Sequence, residues 1–121
     1  MVSETLKRDI HLPKNKEFFW NLSELPSTDK KGLKSLLNAA SAGQLLLLIK
    51  LIHALLNGHV SIKKVHFERI KVSRKLPFLR ETFEDKEEYR RLKNSSTTVQ
   101  RKVLQKINVY HELFFYLFSL P

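Results

Sequence analysis

Cysteine is absent from the 121 residues, so no disulfide, thiol nucleophile or cysteine-based zinc site can organise this chain. Glycine occurs only three times, and none of the three sits in a glycine-rich phosphate loop. Nucleophile-elbow and paired-histidine metal motifs are missing as well. The five histidines, His11, His53, His59, His66 and His111, never fall at i, i+4. Glu84, Asp85, Glu87 and Glu88 read as a solvated helix face rather than acid–base machinery. The expectation is a protein that is not an enzyme and uses no cofactor and no metal. Apolar runs are short too. The longest near-continuous one, Leu45–Leu56, would reach about 18 Å as a helix, against a hydrocarbon core about 30 Å thick. The polar, charged start lacks the basic-then-apolar order of a secretory signal. The expected location is therefore intracellular, nuclear or virion-associated, without a membrane span.

Acidic residues are also scarce: 12 against 22 lysines and arginines, a formal net charge of +10. Hydrophobic residues make up 42%, enough for one small core and not for two. The organising stretch is 41–75. Ser41-Ala42-Gly43-Gln44 has the spacing of a capping box. The segment it opens is apolar almost all round, broken by Lys50 and His53, which with Asn57 make one polar stripe at i, i+3, i+7. Such a helix must be covered by neighbours, which places it at the centre of a bundle. Asn57-Gly58 would end it through a left-handed glycine.

The remaining segments are read around that helix. Residues 1–26 show no clean period and contain Pro13 and Pro26, which suggests a loose N-terminal arm. Phe18-Phe19-Trp20 would anchor the arm on the core. Ser27-Thr28-Asp29 marks a helix start, with Leu33, Leu36 and Leu37 on one face. Gly32 should weaken its first turn slightly. Segment 62–75 fits a helix capped by Ser61, although Val65-His66-Phe67 and Ile70-Lys71-Val72 also alternate as a strand would. Helix is preferred because no partner strand is visible. Pro77 should interrupt the chain, and one helix should follow from about Phe78 to Lys93, acids first and bases last. Asn94–Thr98 reads as a linker. Val99, Val103, Ile107, Tyr110 and Phe114 then share a helical face. The expected fold is all-α: four to five helices around a central helix at about 42–57, in one domain spanning 27–121, with the arm outside it.

Charge distribution supplies the functional clue. Residues 43–80 carry 8 basic and 1 acidic residue, hence +7, whereas 81–95 carry 4 and 5, hence −1. A clustered positive field suits polyanions. Lys63, Lys64, Arg69, Lys71, Arg74 and Lys75 are the candidate nucleic-acid contacts, neutralising phosphates of double-stranded DNA without reading bases. Two other partners stay open. An acidic protein could meet the same basic face. An anionic membrane surface could meet residues 97–118, where Arg101, Lys102 and Lys106 precede Leu113, Phe114, Phe115, Tyr116, Leu117 and Phe118. That apolar tail is either a membrane or partner patch or the lid of the core, and the core is preferred because six contiguous apolar residues in water invite aggregation.

Gln44 and Leu45–Leu48, then Leu55-Leu56-Asn57-Gly58-His59-Val60-Ser61, then Lys63, Lys64, Lys71, Arg74, Lys75 and Leu79, form a pattern covering about a third of the chain. This Ser41–Leu79 stretch resembles small basic core-type proteins of Polinton/Maverick (adintovirus-like) DNA elements, in which an apolar Leu-rich helix leads through a Gly turn into a Lys/Arg-rich helix. Those proteins are similar in turn to adenovirus-type minor core proteins. The resemblance implies a DNA-associated core or packaging role with little sequence preference.

Overall fold

The computed structural model describes residues 4–57, 76–107, 110 and 114. Among them are seven helices: α1 (Glu4–Ile10), α2 (Pro13–Glu24), α3 (Lys30–Ala39), α4 (Ala42–Leu56), α5 (Leu76–Phe83), α6 (Lys86–Lys93) and α7 (Thr97–Gln105). No strand occurs among the described residues. The all-α expectation holds. Segment 58–75, with Gly58 and the helix-or-strand question at 62–75, lies outside the described residues.

Helix α4 is the hub. Its capping box is complete: Gln44 N–H donates to Ser41 Oγ at 3.1 Å, and Ser41 N–H donates to Gln44 Oε1 at 3.0 Å. Leu45, Leu47, Leu48, Ile49, Leu51, Ile52, Ala54 and Leu55 are all buried, and α1, α5, α6 and α7 pack around them. Asn57 closes the helix, its side-chain amide donating to His53 O at 2.7 Å. Helix α3 starts where expected. Asp29 caps it by accepting from Gly32 N–H at 2.8 Å, and Leu33 and Leu37 are buried. Gly32 has a purpose beyond weakening that turn. A Cβ there would sit 2.8 Å from Asp29 Cγ, so glycine gives the capping carboxylate room that any other residue would make it shift to find.

Three expectations are corrected. The N-terminal segment is not a loose arm outside the domain. Leu6, Ile10, Phe18, Phe19 and Leu22 are buried in the same core as α4. Seven- and twelve-residue helices offer few apolar positions each, so their periodicity is weak although Leu6, Ile10, Phe18, Phe19 and Leu22 are buried. The aromatic triplet does anchor them, with Phe18 and Phe19 inside, while Trp20 stays 45% exposed. The single helix expected at 78–93 is two. Asp85 takes an extended conformation and accepts from Glu88 N–H at 3.0 Å, which caps α6 and ends continuity with α5. Pro77 lies in the first turn of α5, where its missing N–H costs nothing; whether it breaks a preceding helix falls on 58–75, outside the described residues. Finally, α7 buries Gln100 and Leu104, while Val99 is 45% exposed. Gln100 is drawn inward because its amide donates to Leu92 O at 3.2 Å and Lys93 O at 3.3 Å, satisfying the orphan carbonyls that end α6.

Candidate nucleic-acid interface

Lys63, Lys64, Arg69, Lys71, Arg74 and Lys75 lie outside the described residues. Described are the points where their segment leaves and rejoins the core: Asn57 at the end of α4 and Leu76 at the start of α5. Helices α4 and α5 pack on one another. Both ends of the basic segment are therefore tied to one body.

Beside the departure point lies an aromatic and basic cluster that sequence reasoning missed. His53, on the polar stripe of α4, stacks on Tyr89 of α6 with ring centroids 3.8 Å apart and planes within 3°. Lys93 Nζ sits 4.4 Å from the Tyr89 centroid, a cation–π distance. Burial raises the Tyr89 phenol above its ordinary pKa, because the ring is half withdrawn from water. Tyr89 and Lys93 are spaced i, i+4, a signal readable in sequence. The stack with His53 is a tertiary fact and is not.

The described cations divide into neutralised and unneutralised groups. Arg90 pairs with Glu87 at 2.6 Å and Arg91 with Glu88 at 2.8 Å, while Arg80 approaches Glu84 at 3.8 Å and Arg8 approaches Asp9 at 3.9 Å. The acidic interlude is thus largely occupied with its own arginines and with capping. By contrast, Lys30, Lys31, Lys34, Lys50, Lys93 and Lys102 form no salt bridge among the described residues. Helix α3 has lysines in its first turn, where the acid at hand is its N-cap, Asp29. The helix dipole disfavours cations there.

Arg101 belongs to neither group. Its Nε donates to Leu37 O at 3.0 Å and its NH2 donates to Ala40 O at 3.1 Å. It caps the C-terminus of α3 and is a structural residue rather than a free surface cation. Of the expected tail patch, only Phe114 is described, and it is fully buried, edge-on to Phe19 at 5.9 Å and against Tyr110 at 5.7 Å. For Phe114 the core alternative holds and a membrane or partner contact does not. Leu113, Phe115, Tyr116, Leu117 and Phe118 lie outside the described residues.

Two open grooves lie among the described residues. One, of about 330 Å³, runs between α1, α2 and α4, with Leu6, Leu46 and Leu47 as its apolar lining and Asp9, Asn15 and Lys50 among its polar residues. The other, of about 300 Å³, lies between α5, α6 and α7 and includes Phe78, Val99 and Val103. Among the described residues no group of three His, Asp or Glu side chains is placed to hold a metal ion. No described helix is long and apolar enough to cross a membrane. Comparison with family models, with characterised proteins and with solved structures finds no match to this chain.

Proposed function

We propose that this protein binds the phosphate backbone of double-stranded DNA with little sequence preference, as a core or packaging protein of the kind its Ser41–Leu79 pattern resembles. The observation that carries the reading is charge concentration: six lysines and arginines against one glutamate in segment 58–75, tied at both ends to helices that pack together. Lys63, Lys64, Arg69, Lys71, Arg74 and Lys75 are the phosphate contacts. The disposition of the described acids supports the reading. Glu84, Glu87 and Glu88 lie beside Arg80, Arg90 and Arg91, and Asp29 and Asp85 cap helices. They leave the surface lysines unneutralised. An unmatched positive field attracts polyanions, and segment 58–75 contains no Asn or Gln to read bases.

The reaction class is binding alone. Each neutralised phosphate releases condensed counterions, so the affinity is entropic in origin and falls steeply with salt. Titrating a fluorescent duplex with wild-type protein and with the Lys63→Gln, Lys64→Gln, Lys71→Gln, Lys75→Gln quadruple variant tests this. The variant is expected to bind all duplexes more weakly, and unrelated sequences should compete equally. Equal affinity of the two proteins would reject segment 58–75 as the contact surface and favour an acidic protein partner elsewhere. Binding to anionic vesicles but not to DNA would favour the membrane reading.

A further inference from the structure

We infer that the phosphate-contacting surface continues beyond segment 58–75 onto the edge where α4 meets α6, with Lys50 and Lys93 as additional backbone contacts. This rests on the DNA-binding reading above and adds a site built wholly from described residues. Lys50, His53 and Asn57 form one stripe along α4, with Lys50 exposed and Asn57 the last residue before the basic segment. Across the stripe, Tyr89 stacks on His53 at 3.8 Å and Lys93 Nζ lies 4.4 Å from the Tyr89 centroid. The aromatic pair fixes one cation and links it to the helix carrying the other, at the point where the candidate contact segment emerges.

Helix α6 supplies the discriminating contrast. Its last turn has three bases, Arg90, Arg91 and Lys93. The first two are held by Glu87 and Glu88 at 2.6 and 2.8 Å. Lys93 has no carboxylate partner among the described residues and rests on an aromatic ring, which attracts the ammonium without neutralising it. An ammonium has three donors, and the ring face engages them only weakly, so they remain available to phosphate oxygens. Holding Lys93 against the ring also reduces the rotamer entropy lost when it meets a ligand. Lys50 is likewise unmatched. Asp9 lines the same groove, yet its ion-pair neighbour among the described residues is Arg8. The kind of ligand follows: a repeating phosphodiester whose separate phosphates meet Lys50 on α4 and Lys93 on α6, rather than a single small anion.

The test compares salt dependence of binding to a random-sequence duplex by fluorescence anisotropy. Four proteins are needed: wild type, Lys50→Gln/Lys93→Gln, the charge-matched control Lys31→Gln/Lys34→Gln on α3, and Lys93→Arg. Loss of two contacts should flatten the log–log slope by about 1.8 and weaken binding roughly 10- to 30-fold near 0.15 M salt. The α3 control, which removes the same charge away from the edge, should change the slope by less than about 0.5. Lys93→Arg should keep the wild-type slope, because arginine also stacks on tyrosine and stays charged. Thermal melts of all four confirm folding, and Lys50→Gln alone, expected to flatten the slope by about 0.9, stands in if the double variant is unstable. Equal effects of the two double variants would mean that only the overall field acts, overturning the inference. An unchanged slope in Lys50→Gln/Lys93→Gln, with the segment 58–75 quadruple variant weakened, would overturn it while leaving the DNA reading intact. Absence of wild-type binding would overturn both.

Discussion

Arg101 offers the sharpest test of the fold, because it joins residues more than sixty positions apart. Helix α3 ends at Ala39 with no basic residue in its last turn, so its terminal carbonyls need partners from elsewhere. Arg101 supplies two donors, at 3.0 Å to Leu37 O and 3.1 Å to Ala40 O, from a half-buried position on α7. Arg101→Met keeps much of the aliphatic stem and removes both donors. Hydrogen bonds from a charged group contribute about 1.5–3 kcal/mol each when buried; with Arg101 half exposed the two together should contribute about 2–3 kcal/mol. For a chain of this size that corresponds to a drop in Tm of roughly 6–15 °C. Arg101→Lys should recover half or less, since one ammonium cannot reproduce the two-pronged geometry. Urea denaturation with two-state fitting measures both. A change below about 0.5 kcal/mol for the methionine variant, or full recovery by lysine, would refute the capping role. Duplex-DNA affinity of the folded variant should stay close to wild type.

Three further outcomes follow from the packing. Leu48 is fully buried in α4, so Leu48→Ala should lose about 2–5 kcal/mol, whereas a loss under about 1 kcal/mol would mean α4 is not the centre. Gly32→Ala should gain less than the roughly 1 kcal/mol that alanine usually adds over glycine in a helix, because its Cβ makes the Asp29 carboxylate shift; a full gain in urea denaturation would mean the cap readjusts at no cost. Tyr110 is buried, and its hydroxyl donates to Leu104 O at 2.8 Å. Burial raises its pKa well above 10.0. The folded protein therefore holds that proton after the unfolded chain has released it. The associated stability is complete below about pH 10 and falls as pH rises towards the folded pKa. Tyr110→Phe should be about 1–2 kcal/mol less stable at pH 7 and should lose less than wild type between pH 9 and 11. Parallel pH profiles would contradict the assignment.

Local signals in the sequence foretell much of this architecture. The capping box at Ser41–Gln44, the Asp29 cap and the apolar density of α4 depend on neighbours within four residues, and all three appear in the structure. What escapes is what depends on distant partners. Gln100 is polar and therefore looks exposed, yet it is buried at 4% because the end of α6 needs its amide. Val99 fits the apolar stripe but stands outside it. Asp85 reads as one acid among several, and its capping role emerges only from its backbone conformation. Leu6, Ile10 and Leu22 are separated by Pro13 and by polar residues, so their joint burial shows only after α1 and α2 have docked. For the candidate interface, the basic run at 63–75 is legible because charge clusters along the chain. The Lys93–Tyr89–His53 arrangement is not, since α4 and α6 lie some thirty residues apart and meet only in the fold.

The claim of phosphate-backbone binding is tested most directly by the salt dependence of wild-type affinity for duplex DNA between about 50 and 300 mM monovalent salt. Four to six phosphate contacts predict a log–log slope of roughly −4 to −5, the same for unrelated sequences. A slope near zero for the folded protein would contradict the claim.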